Sequence, residues 1–227
     1  MSDDLFTRYR RVRAEVDAAA HAAGRTPEEV FLLPVSKTVP APVIRELYEH
    51  GLRDFGENRV PVLEEKAGIL PEDIRWHFIG QLQSNKVRKV VKIASVIHSV
   101  DSAALAERID RIAGEEGRRP RILVEINVSG EASKSGAPLD RWQEVAVAAA
   151  QCRCAQFAGL MTMAPFNAAP EELREIFTRL RQLRDEINRE AGLSLPLLSM
   201  GMSGDFREAI ACGSTLVRIG TAIFSDN

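Results

Sequence analysis

The sequence predicts an α/β fold: a single (β/α)8 TIM-type barrel with an extra N-terminal helix, residues 1–227 forming one domain. Three observations predict it. Short runs that are apolar nearly throughout recur eight times, as expected for parallel strands buried on both faces. Helical segments with one apolar stripe alternate with them. No linker, repeat or low-complexity tract divides the 227 residues, a length that suits one small barrel. An open doubly wound sheet is the alternative packing of the same elements.

In chain order, a helix is expected over about residues 4–22, followed by strands at 30–35, 52–55, 76–79, 96–100, 122–128, 157–163, 197–200 and 216–219. Pro34 lies in the first run. It lacks an N–H, and a barrel has no free edge, so it belongs at a strand terminus. Between the fourth and fifth runs, Leu105, Ile109 and Ile112 share a helical face, with Asp101 or Ser102 as cap and Gly117 as stop. Between the sixth and seventh, Leu173, Ile176, Phe177, Leu180, Leu183 and Ile187 form the clearest stripe, from Pro170 to Gly192. The helix after the seventh run has only residues 204–212 to use, a shortening common where a barrel binds phosphate. The Ser/Gly-rich segment 129–138 follows the fifth run and is expected to be flexible and to overhang the C-terminal mouth.

Composition excludes several function classes. Lys and Arg total 30 against 32 for Asp and Glu, a net charge of -2, so there is no electrostatic footprint for nucleic acid or an anionic membrane. No apolar run approaches the ~20 residues that span a bilayer. The start, Met1-Ser2-Asp3-Asp4, lacks the basic-then-apolar pattern of a signal peptide, which makes the cytoplasm the default location. Cys152, Cys154 and Cys212 form no disulfide framework and read as buried or partly buried thiols. Among His21, His50, His77 and His98 no pair has metal-ligand spacing, so no metal is expected; His77 and His98 read as satisfied core histidines.

Candidate chemistry gathers at strand ends. Lys37 ends the first run; a lysine amine there can form an imine with an aldehyde if a sheltered setting keeps it partly neutral. Ser203-Gly204 follows the seventh run and Gly220-Thr221 the eighth. These exits are neighbours in a barrel, where they commonly share a phosphate. Arg218 sits inside an apolar strand and needs a partner, either a carboxylate within the barrel or a ligand ring nitrogen. Asn58 either donates to a ligand oxygen or caps the next helix. Lys86, Arg88, Lys89 and Lys92, like Arg8, Arg10, Arg11 and Arg13 of the first helix, read as solvated faces.

Five stretches carry a family resemblance: Leu33-Pro34-Val35-Ser36-Lys37, Phe55-Gly56-Glu57-Asn58, residues 76–86, residues 198–203 and residues 217–224. With these the chain, from about residue 30 to 224, resembles the pyridoxal phosphate homeostasis protein family. The resemblance implies the barrel of the alanine racemase N-terminal domain (fold type III of pyridoxal 5′-phosphate, PLP, proteins) without the racemase's β-rich second domain. It implies PLP as cofactor, held as an imine on Lys37. Phosphate contacts then fall on Ser203, Gly204, Gly220 and Thr221, the ring-nitrogen contact on Arg218, and a flanking contact on Asn58. It implies a carrier acting in PLP and amino-acid balance without turnover, with PLP-dependent apoenzymes as candidate recipients; one barrel without an obvious apolar appendage is compatible with a monomer.

The residues point the same way. An arginine at the ring nitrogen leaves that nitrogen unprotonated and weakens the ring as an electron sink. A racemase also needs a second base on the opposite face. The competing functions are a PLP-dependent racemase or lyase with a narrow substrate, the 129–138 loop serving as its lid, and a cofactor-free Schiff-base aldolase on Lys37.

Overall fold

The computed structural model describes residues 4–131 and 134–225. The start Met1-Ser2-Asp3, Ala132 and Ser133 of the Ser/Gly segment, and the tail Asp226-Asn227 lie outside the described residues. Helix α1 (Leu5–Ala22) begins where the Asp4 carboxylate accepts from the Thr7 amide at 2.6 Å. Strands and helices then alternate: β1 (Phe31–Pro34), α2 (Ala41–Glu49), β2 (Asp54–Glu57), α3 (Val60–Ile69), β3 (Arg75–Phe78), α4 (Val87–Ile93), β4 (Ala94–Val100), α5 (Ala103–Glu115) and β5 (Arg121–Asn127). The second half runs through β6 (Ala137–Pro138), α6 (Trp142–Gln151), β7 (Gln156–Met161), α7 (Pro170–Ala191), β8 (Leu197–Ser199), α8 (Phe206–Ala211), β9 (Leu216–Ile219) and α9 (Thr221–Phe224).

Eight of these strands are parallel neighbours in the order β1-β9-β8-β7-β5-β4-β3-β2, and the ring closes where Val35 bridges Gly56. That rules out the open sheet. Pro34 fits for a specific reason. The amides of Phe31 and Val35 bond to carbonyls of Thr215 and Ile219 on the β9 side, whereas Ser36 bonds to Gly56 of β2. By alternation the nitrogen of Pro34 faces β2, so its missing N–H costs nothing toward β9 and leaves the β1–β2 joint at the single Val35–Gly56 bridge.

Two expectations are corrected. The second strand is Asp54–Glu57, not 52–55, because Leu52 bonds back to the Leu47 carbonyl at 3.1 Å and finishes the turn leaving α2. Gly56 and Glu57 therefore lie inside a strand. The described part of segment 129–138 is tied down rather than free. The Asn127 side chain donates to the Glu131 carbonyl at 2.9 Å and accepts from the Gly130 amide at 3.0 Å, and β6 pairs with β5. The remaining strands and both stripe helices fall within two residues of expectation. Gly192 ends α7 in the left-handed conformation at φ 64°.

Alternation along the strands separates two layers. Outward positions such as Leu32, Phe55, Trp76, Phe78, Ile97, Ile122, Val124, Leu160, Leu198, Val217 and Ile219 meet the helices in one continuous apolar layer. Inside the barrel, Val96, Leu123, Ala158 and Met161 form a separate small apolar cluster. Polar groups share the rest of the interior with Leu33 and Leu216, and His77, His98, Glu125, Ser199 and Arg218 are all buried there.

The basic cluster after β3 is matched by acids. Arg88 pairs with Glu115 and Glu116, Lys89 with Glu64 at 2.8 Å and Lys92 with Glu116 at 3.5 Å. Cys152 and Cys154 are half-buried and Cys212 is buried; burial pushes the Cys152 thiol up to about 12, so it stays protonated. No described helix is long and apolar enough to cross a membrane.

Candidate functional site

The C-terminal ends of the strands surround a cavity of about 670 Å³. Lys37, Asn58, Ser203, Gly204, Arg218, Gly220 and Thr221 all line it, although they leave four different strands. Close backbone approaches shape the wall. A Cβ on Gly80 would lie 2.0 Å from the Asn58 carbonyl oxygen, and one on Gly220 would lie 2.9 Å from that of Val35. Only glycine lets the exit of β3 touch that of β2, and the exit of β9 touch that of β1.

Lys37 leaves the loop after β1 and is exposed at the mouth, so the sheltered setting expected for it is not what the fold provides. The residue before it is anchored from behind. Buried Lys66 of α3 donates to the Ser36 carbonyl at 2.8 Å and to Glu57 Oε1 at 3.3 Å. Burial pushes the Glu57 carboxyl up, and Lys66 holds it back. Asn58 does not cap α3, whose N-cap position falls on Arg59. Its side-chain Oδ1 is buried and has no hydrogen-bond partner, an acceptor left open at the cavity wall.

At the exits of β8 and β9, the amides of Ser203, Gly204, Thr221 and Ala222 have no acceptor among the described residues. Asp205 turns its carboxylate onto the Met202 amide and so does not compete for them; burial pushes its carboxyl up. The two exit turns bring the open N–H donors of Ser203, Gly204 and Thr221 to one volume, with that of Ala222 next to them, a nest for an anion.

Arg218 is 4 % exposed. Among the described residues it forms no ion pair: Nη1 donates to the carbonyl and the hydroxyl of Ser199, both at 2.7 Å, and Nη2 donates to the Thr162 carbonyl at 3.0 Å. Burial lowers it to about 10, with Asp205 and Glu125 working in the other direction, so it remains a cation at neutral pH. Three of its five N–H donors are used, and the Nε–H and one Nη2–H are left for the cavity.

Sequence reasoning missed part of the wall. Glu125, inside β5, accepts from Ser135 Oγ at 2.6 Å, and burial pushes its carboxyl up. The loop after β7 adds Phe166, 90 % exposed, and Asn167 at φ 61°. Glu125 carried the signal that marked Arg218, a charge in an apolar strand. Phe166 and Asn167 carried none. His77 and His98 are buried and bonded to each other, Nδ1 to Nε2 at 3.0 Å. No described group of three His, Cys, Asp or Glu residues has metal-binding geometry.

A parallel eight-strand barrel with a strand-exit lysine facing an anion nest defines the class of the alanine racemase N-terminal domain, and the model of that family matches residues 12–227. The chain belongs to the pyridoxal phosphate homeostasis protein family. The protein of that name from Aquifex aeolicus (strain VF5) is 42% identical over 220 residues, covering 96% of each chain. The structure of PipY of Synechococcus elongatus PCC7942 with PLP bound is 38% identical, with a TM-score of 0.86 over 98% of this chain and 100% of that one. Alanine racemase of Clostridium difficile 630 shares the fold at 13% identity. Its TM-score is 0.75, over 96% of this chain and 56% of its own.

Proposed function

We propose that this chain binds PLP through the amine of Lys37 and serves in intracellular PLP and amino-acid homeostasis as a carrier without turnover, residues 1–227 acting as one monomeric cytoplasmic unit that delivers to PLP-dependent apoenzymes. The observation that carries the reading is the convergence of all seven candidate residues on one cavity. The residues fit the group. The open N–H donors of Ser203, Gly204, Thr221 and Ala222 suit a phosphate dianion. The unpartnered Oδ1 of Asn58 suits a donor beside the ring, and the spare N–H donors of Arg218 suit the ring nitrogen. The PLP-bound relative adds weight.

When bound, PLP would supply a reactive aldehyde, and the exposed amine of Lys37 is the residue that would hold it. The other groups bind and orient. Because Arg218 can only donate, the ring nitrogen facing it stays unprotonated, which disfavours carbanion chemistry. That favours holding over turnover.

The test is borohydride reduction of the PLP-loaded protein followed by intact mass. Wild type gains one pyridoxyl group, mapped to Lys37, and Lys37→Ala gains none. An unmodified Lys37 in wild type would refute the reading. Loss of α-deuterium from any member of an amino-acid panel, abolished in Lys37→Ala, would replace the carrier with an enzyme.

A further inference from the structure

The barrel interior carries a line of hydrogen bonds that the proposed cargo site does not by itself require. It starts at the N-terminal end of β2 with Asp54 and passes to His77 of β3, with Nε2 and Oδ1 3.1 Å apart. It goes on to His98 of β4 at 3.0 Å and crosses the barrel to Ser199 of β8, where His98 Nδ1 and Oγ lie 2.9 Å apart. It ends on Nη1 of Arg218 at 2.7 Å. Five strands contribute one residue each.

We propose that Asp54, His77, His98 and Ser199 are positioning residues, a one-way hydrogen-bond chain that fixes the Arg218 guanidinium at the cavity wall. The direction follows from the two ends. Arg218 can only donate and ionised Asp54 can only accept. Ser199 must therefore accept from Arg218 and donate to His98 Nδ1. His98 must donate from Nε2 to His77 Nδ1, and His77 from Nε2 to Asp54. Each intermediate group takes one proton and gives one, so every bond in the line is made at once. A second proton on either imidazole would break it.

The surroundings keep both imidazoles neutral. Burial lowers both histidines, His98 well below its ordinary value, and the charges near them include Arg75, Arg121 and Arg218. Arg75 also pairs with Asp54 and helps hold it ionised at the entrance. An apolar filling was available, since Val96, Leu123, Ala158 and Met161 provide one beside it. A polar column in that place serves orientation: with Nη1 held by two bonds, the guanidinium cannot rotate its remaining N–H donors away from the cavity.

The proposal deepens the PLP reading by resting on Arg218 as the ring contact, and its first test needs no PLP. Nitrogen-15 NMR of the unloaded protein should find both histidines protonated at Nε2 and bare at Nδ1. Asp54→Asn can donate into the line, so it should populate the Nδ1–H tautomer of His77. It should also speed rotation and solvent exchange of the Arg218 N–H groups about tenfold, the loss expected for one hydrogen bond to a charged group. Ser199→Ala removes a single oxygen and should speed Arg218 equally while leaving both histidines as they were; it carries the test if Asp54→Asn does not fold. Wild-type histidines protonated at Nδ1, or an Arg218 equally slow in both folded variants, would overturn the proposal. With PLP added, both variants should still form the Lys37 adduct but with Kd raised about tenfold. Unchanged Kd would also overturn it. A wild type that takes no PLP would instead sink the cargo reading, leaving the tautomer and rotation results to decide this one.

Discussion

The two layers of the barrel are built on opposite principles. Between strands and helices, Leu, Ile, Val, Phe and Trp fill the space with no regard to direction, and burial of apolar area holds the layer together. Inside the ring lies a line of groups that must each find a specific partner, from Asp54 at one end to Arg218 and Glu125 at the other. The outer layer is where stability resides, and the inner one is where geometry is specified. A loss in the first should cost free energy without touching the site. A loss in the second should reach the site, or the response to acid, before it costs much stability.

The largest effect should come from the outer layer. Phe177 of α7 is fully buried there, and Phe177→Ala should destabilise the protein by about 3–5 kcal/mol in urea denaturation. The fraction that remains folded should still form the Lys37 adduct. An adduct lost in step with stability would mean that the layers are not separable.

Acid should strike the inner layer next. His77 and His98 are held below their ordinary values, so the unfolded chain takes up their protons first. Their contribution to stability is complete above about pH 6.5 and drains away as the pH falls toward their folded values, by about 1.4 kcal/mol per pH unit for each histidine. Denaturation curves between pH 7.5 and 5 should show this slope, and His77→Gln with His98→Gln should flatten it. A profile left unchanged by the double variant would mean that the histidines are not the acid-sensitive groups, since the raised carboxyls of Glu57, Glu125 and Asp205 act in the opposite sense.

A smaller effect sharpens the contrast from the outer side, where one polar group does specify geometry. Asp110 of α5 accepts from the amides of Arg153, Cys154 and Ala155 at 2.9, 2.6 and 2.8 Å and fixes the entry to β7. Burial would raise this carboxyl, but the three amides outweigh it and hold it low. Asp110→Ala should cost about 1–3 kcal/mol by the same denaturation assay. The smallest effect belongs to the surface. Lys89→Ala breaks an exposed pair with Glu64 and should change stability by less than about 0.5 kcal/mol.

The outer layer was legible in the sequence because apolar periodicity encodes it directly: the α7 stripe and seven of the strand runs lie where the pattern puts them. The second strand slipped because Leu52 belongs to a helix exit, while its true residues include the unapolar Asp54, Gly56 and Glu57. The inner layer was legible only one residue at a time. Arg218 stood out as a charge in an apolar run, but His77 and His98 each read as an ordinary core histidine. Their contact joins positions 21 residues apart, and the contact to Ser199 joins positions 101 apart. No spacing rule links such positions, since the barrel's closure alone brings them together. Lys66 was hidden for the same reason, its partner Ser36 lying 30 residues away.

One detail of the wall bears on how the proposed carrier would let go of its ligand. The first and second staves meet through a single bridge beside an imino acid that has nothing to donate. Thermal distortion collects where the fewest bonds resist it. Lys37 stands at the rim of that compliant joint, while the anion nest hangs from β8 and β9, on the side where β1 and β9 share a four-residue ladder. A ligand held as proposed above would thus be fastened to one yielding support and one firm one, and its release would begin at the amine while the ring of strands stays whole.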